Sequence, residues 1–227
     1  MRRKPAHAQE APAVPRRGLF SVPAPYDASV FINCPFDAAY RPLLRAIVFA
    51  VQDCGFMPRC ALEVHDSGEV RITKIMRIIR ECRHGVHDIS RVELDSASGL
   101  PRFNMPLELG LFLGAREYGV GLQTQKRCLI LDQVPYRYQV FCSDLAGQDI
   151  SAHGGSLELV VTAVRDWLAA WLCDSGVTVP GDAHMCERFR EFSSDLPVLC
   201  RDLRLEPDRL LFAELRTLVQ EWADQNA

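Results

Sequence analysis

Ser29-Val30-Phe31-Ile32-Asn33-Cys34-Pro35 is a short apolar run stopped by a proline, and its reading decides the fold. Val, Phe and Ile ahead of a residue that cannot donate to a ladder read as a first strand. Behind it Leu43, Leu44, Ile47, Val48 and Val51 recur at helical spacing, with Asp37 as the expected cap and Gly55 as the stop. A second strand is expected over 57–63. After the polar loop His65-Asp66-Ser67-Gly68 comes a second helix, with Ile72, Ile75, Met76 and Ile79 inward and Arg71, Lys74 and Arg77 on a solvated face. A third strand over 85–90, a third helix over 105–118 and a fourth strand over 126–132 complete the series. Strands and helices alternating at this spacing predict an α/β, Rossmann-like (flavodoxin-like) parallel sheet with helices on both faces. Ligands in such sheets bind at the carboxyl ends of the strands.

Working outward, the pattern beyond Ser143 becomes helical. An amphipathic stretch over 157–172 holds Trp167 and Trp171, shorter helices follow a turn-rich segment at 174–182, and the last, over 208–223, sets Leu211, Leu215, Leu218 and Trp222 on one stripe. Residues 1–26 hold five prolines and carry Arg2, Arg3, Lys4, Arg16 and Arg17 against Glu10, a charge of +4 in a chain whose net charge is -3. That basic, Pro/Ala-rich stretch cannot bury enough apolar surface to order itself and reads as a disordered tail. The expected organisation is therefore a tail over 1–26, a Rossmann-like domain over 27–150 and a helical C-terminal region over 151–227.

Bulk properties exclude several classes. A net charge of -3 offers no global attraction to nucleic acid or an anionic membrane. No apolar run is long enough to span a bilayer, and the N-terminus lacks the apolar stretch of a signal peptide. Nine cysteines with no C-x-x-C pair suit reduced, buried thiols, so a cytoplasmic location is expected. His65, Asp66, His84, His87 and Asp88 are rich in metal-ligand types, but residues three apart on a strand face opposite sides, and no metal is expected.

The polar residues that interrupt this pattern collect at predicted strand ends. The first turn, Asn33-Cys34-Pro35-Phe36-Asp37, stands where a dinucleotide fold or an NTPase places a glycine-rich loop, and Pro35 removes one backbone donor. Asn33 and Asp37 are either contacts to a ribose or base, or a turn residue and a cap. Glu63, Asp66 and Ser67 follow strand two; Asp88, Ser90 and Arg91 follow strand three, where Asp88 offers acceptors and Arg91 or Arg102 meets a phosphate or carboxylate. Asn104 precedes helix three. In Met105-Pro-Leu-Glu-Leu-Gly-Leu-Phe-Leu-Gly-Ala115 a single carboxylate, Glu108, interrupts an apolar helix. It is expected in the first turn, ionised by the helix dipole, either bonding free N–H groups or serving a ligand. Gly110 and Gly114 are expected to face the sheet.

On Phe31-Ile-Asn-Cys-Pro-Phe-Asp37, Asp88 and above all Leu107-Glu-Leu-Gly-Leu-Phe-Leu-Gly-Ala115, the chain resembles the nucleoside 2-deoxyribosyltransferase-like family and its distant TIR-like relatives over roughly residues 29–132. The resemblance implies that Glu108 is the nucleophile at an anomeric carbon, that Asp88 handles the base, and that Asn33, Pro35, Phe36, Asp37, Glu63, Ser67, Ser90, Arg91 and Asn104 line the substrate site. It implies an N-glycosidase or glycosyl transferase acting on a nucleoside, a nucleotide or NAD, with NAD or the nucleotide as substrate and no separate cofactor. By fold-level analogy alone it points to a bacterial defence effector whose C-terminal helices bring together a homo-oligomer or complex. The alternatives are a non-catalytic nucleotide sensor and a structural subunit.

Overall fold

The computed structural model describes residues 25–64, 66–94, 99–174 and 176–226. Apart from Pro25 and Tyr26, the expected tail lies outside them, as does His65. Five strands, β1 (Ser29–Asn33), β2 (Met57–Arg59), β3 (His84–Asp88), β4 (Arg127–Asp132) and β5 (Ile150–Ala152), form one parallel sheet in the order β2-β1-β3-β4-β5. This is an α/β Rossmann-like fold with the flavodoxin strand order, whose switch point falls between β1 and β3.

Side chains alternating along the strands build two apolar layers. Val30, Ile32, Val86, Leu129 and Leu131 face α1 (Arg41–Asp53) and α5 (Leu157–Asp174), with α6 (Asp182–Asp202) and α7 (Phe212–Gln225) continuing the same core. Phe31 faces α2 (Arg71–Glu81) and α3 (Asn104–Tyr118) on the other side. The short α4 (Tyr138–Phe141) closes that side beyond β4. His84 packs edge-on to Trp167 and Trp171 while His87 packs on Phe31 and Phe112, so the two histidines face opposite sides of β3, as their spacing requires.

Several expectations are corrected. Asp37 does not cap α1: it accepts from the Tyr40 amide at 3.1 Å in a turn, and Tyr40 precedes the helix. In α2 the buried face is Lys74, Ile75, Ile78 and Ile79, and Ile72 and Met76 are exposed. Lys74 lies inside because its ammonium donates to Val64 O at 2.7 Å, which lets the aliphatic stem pack. Strand β2 is three residues long, and α6 spans 21, the longest helix described. Strand β5 crosses the boundary expected after residue 150; Ile-Ser-Ala is too short to show a period. Helix α3 is apolar on two sides, yet Leu107 is 55% exposed and Gly110 is solvent-facing, with open space where a Cβ would stand. Gly110 therefore does not pack on the sheet.

The glycine that does bring α3 close to the sheet is Gly85, on β3. A Cβ there would stand 2.6 Å from His87 Nε2 and 2.8 Å from the Phe112 ring. At the end of α1, Gly55 adopts φ +83°, the left-handed turn that ends the helix.

The C-terminal helices are part of the domain core. Phe49 of α1 is fully buried against Phe189, Phe192 and Trp222 of α6 and α7. Of the stripe read from the sequence, Leu215, Leu218 and Trp222 face inward and Leu211 is exposed. Among the described residues no helix is long and apolar enough to cross a membrane. Because α1 links both parts, Phe49→Ala should lower unfolding free energy by about 3–5 kcal/mol in a single transition. Denaturant melts followed by tryptophan fluorescence and far-UV circular dichroism should coincide; separate transitions would show that α6 and α7 fold apart from the sheet.

Candidate functional site

The carboxyl ends of β1 and β3 open onto a cleft of about 220 Å³. One wall is the turn Cys34-Pro35-Phe36-Asp37, the other is the start of α3 with Asn104, Met105 and Glu108, and Arg71, Arg91 and Arg102 complete the rim. The turn has this shape because Pro35 ends the ladder after β1 and Asp37 holds the next three residues. Arg91 donates to Asp37 at 2.6 Å. Burial works to raise the Asp37 carboxyl, but the hydrogen bonds from Arg91 and the Tyr40 amide outweigh it and hold it below the ordinary range.

Glu108 is the fifth residue of α3, one residue further in than expected and just past the first turn. Dipole stabilisation fades beyond the first turn, and burial governs instead. The residue is 5% exposed. Its nearest cation is Arg71, with guanidinium and carboxylate 3.9 Å apart, beyond hydrogen-bond length. Burial pushes the Glu108 carboxyl up to about 7, and the Arg71 charge only partly opposes this. The expected first-turn ionised Glu is thus a second-turn carboxyl that is about half protonated at neutral pH.

Two contacts fix where Glu108 points. Asn33 Nδ2 donates to Met105 O at 2.8 Å and lies 3.1 Å from His87 Nδ1, tying the end of β1 to the first turn of α3. Four residues after Glu108, on the same helix face, Phe112 rests in the space left by Gly85. Asn33 is 1% exposed and holds the wall from behind rather than lining the cleft. His87 is buried and its pKa falls to about 3 through burial and the Lys126 charge, so it stays neutral.

Asp88 is fully buried and does not line the cleft. Its Oδ2 accepts from the Tyr40 hydroxyl, Oδ1 accepts from the Ser90 amide at 2.8 Å, and His153 Nε2 stands 3.1 Å from Oδ2 without hydrogen-bond alignment. The Gly155 amide donates to His153 Nδ1, which turns Nε2 toward Asp88. Tyr40, Ser90 and His153 in turn line a second cleft of about 430 Å³, with Arg91 common to both. The structure therefore makes Asp88 a buried anchor between two clefts.

Of the residues predicted to bind substrate, Pro35, Phe36, Asp37, Arg91 and Asn104 meet Glu108 in the first cleft, and Ser90 opens to the second. Glu63 does not join them: Arg59 holds it with hydrogen bonds of 2.7 and 2.6 Å at the end of β2. Ser67 is exposed and lines neither cleft. Arg71 is exposed, as expected, and as the first residue of α2 it also reaches the cleft rim, which was not expected. Tyr40 and His153 had no sequence signal, being brought to Asp88 from a turn and from the end of β5. Cys34 lines the cleft as a thiol: burial, reinforced by the charge of Asp88, raises its pKa well above the ordinary range, which excludes a thiolate nucleophile.

No protein-family model, curated protein or solved structure matches the chain.

The raised Glu108 pKa carries a stability signature. Between about 4.5 and about 7 the unfolded chain releases this proton while the folded chain retains it, so the group lowers stability as pH rises through that window. Glu108→Gln should gain on wild type by up to ~3 kcal/mol from pH 4.5 to 7 and hold that difference above it. Unfolding midpoints measured across pH test this; a difference that stays constant from pH 4.5 to 7 would mean that the Glu108 pKa is not raised in the folded protein.

Proposed function

We propose that the protein is an N-glycosidase, or a glycosyl transferase of the same chemistry, acting at the base–ribose bond of a nucleoside, nucleotide or NAD. The observation that carries this reading is Glu108: a desolvated carboxyl with a pKa near 7, turned into a cleft at the strand ends beside the Cys34–Asp37 turn. A pKa near the working pH is what carboxyl chemistry in an enzyme requires. The likeness to deoxyribosyltransferases at Phe31–Asp37 and Leu107–Ala115 supports the same assignment.

In the reaction the C1′–N bond breaks and its electron pair leaves on the base nitrogen. Positive charge develops at C1′, and the ionised Glu108 stabilises it or forms a C1′–O bond. Water then supplies hydroxyl to C1′; its other proton goes, in net terms, to the leaving base of a nucleoside or nucleotide, or to solvent when nicotinamide departs already neutral from its cation, and in a transferase a second base replaces the water. The rim arginines orient the substrate, and Asp88 keeps Tyr40 and the β3 end in place rather than touching the base.

Glu108→Gln should abolish base release while leaving the fold intact. Wild-type protein incubated with NAD, ATP and nucleosides, with products separated by liquid chromatography, tests this. Equal release by the variant would remove Glu108 from the chemistry. Absence of release from wild type, with substrate binding retained, would favour a nucleotide sensor. Because a nucleophile acts ionised, the rate should rise with pH to a plateau, with its midpoint near 7. Arg71→Ala should move that midpoint to higher pH, since the guanidinium lowers the Glu108 pKa; an unmoved or lowered midpoint would mean that another group sets the profile.

A further inference from the structure

From the three arginines that converge on the Glu108 cleft, we infer that its substrate is a nucleoside bearing a 5′-phosphate, bound chiefly by Arg71 and Arg102. This deepens the glycosidase reading and rests on it for the identity of the sugar. The arginines come from separate parts of the chain: Arg71 begins α2, Arg91 follows β3, and Arg102 lies just before α3. Their convergence is therefore a property of the folded sheet edge and not of a basic run in the sequence.

Their states differ. Arg91 is engaged by Asp37 at 2.6 Å, so it serves the shape of the turn. Arg71 is 3.9 Å from Glu108, its side chain about half exposed, and its donors are free to turn toward a ligand. Arg102 is exposed on the rim. The lining carries three guanidinium groups against two carboxyls, Asp37 and Glu108, in a chain whose net charge is -3. With Asp37 paired and Glu108 about half protonated, the cleft is locally positive in a negative protein. A planar guanidinium donating two parallel bonds is well matched to a phosphate dianion.

The position of Arg71 adds a geometric argument. It flanks the carboxylate that addresses C1′, so an anion bound to Arg71 sits within one sugar of that carboxylate. A 5′-phosphate meets this condition, whereas an uncharged nucleoside leaves Arg102 without an anion and Arg71 with only Glu108, 3.9 Å away. A monophosphate and one end of a pyrophosphate-linked dinucleotide present the same chemistry. A second cleft of about 430 Å³ shares Arg91 with the first.

The test compares adenosine, AMP and NAD as substrates for wild type, Arg102→Ala and Arg102→Lys, with thermal shift run on the same ligands. AMP or NAD should exceed adenosine in kcat/KM by roughly ten- to a hundredfold, the range for a hydrogen bond to a charged group. That preference should collapse in Arg102→Ala, through KM, and return in part in Arg102→Lys, which keeps the charge but not the fork. Whether AMP or NAD leads identifies the source of the phosphate, and either supports the inference. Base release from adenosine with a kcat/KM equal to or above those of both AMP and NAD would overturn it while leaving the glycosidase reading intact. No base release from any substrate, with a thermal shift by AMP that is absent for adenosine and lost in Arg102→Ala, would sink the glycosidase reading and keep the phosphate site. Neither release nor shift would overturn both.

Discussion

The candidate site depends on how closely α3 approaches the sheet. A helix usually stands off a strand by the width of the side chains between them, but at Gly85 there is no side chain, and the Phe112 ring occupies the space. The Asn33 amide holds the helix start by donating to Met105 O. These two contacts, one apolar and one polar, bracket Glu108 in the chain and set both its height above β1 and its burial. Dense packing tolerates little displacement at such points. A change at Gly85 or Asn33 would thus reach the carboxylate without touching the cleft.

Two carboxylates near the same sheet edge show how environment assigns roles. Asp88 has a hydroxyl and an amide donating to it and a histidine alongside, so its oxygens are occupied by the protein. Glu108 has only a guanidinium 3.9 Å away, and burial raises its pKa. The first arrangement holds structure; the second leaves a carboxyl whose protonation state changes near neutrality and whose oxygens face the cleft.

The C-terminal helices belong to the same economy of packing. Helix α1 is buried on the sheet side by Ile47, Val48 and Val51 and on the outer side by Phe49, which meets the aromatic groups of α6 and α7. A helix apolar on most of its circumference needs cover on both sides, and α5 to α7 provide it. Among the exposed apolar residues of the site half, Phe103 and Leu107 lie on α3 and the loop before it.

The sequence alone determined the alternation of strands and helices, the parallel sheet, and the identity of Glu108 as the odd residue in an apolar helix, because periodicity and punctuation by proline and glycine are local properties of the chain. It also placed Pro35, Phe36, Asp37, Arg91 and Asn104 at strand or helix ends, and so at one edge of the sheet. Only tertiary structure decided that Asn33 and Asp88 are buried supports, that the solvated Arg71 stands at the cleft rim, and that Tyr40 and His153 meet at Asp88. Those outcomes depend on which groups lie opposite one another across the sheet edge. Burial, hydrogen-bond competition and the strength of a charge–charge interaction are set by neighbours distant in sequence, which no local pattern encodes.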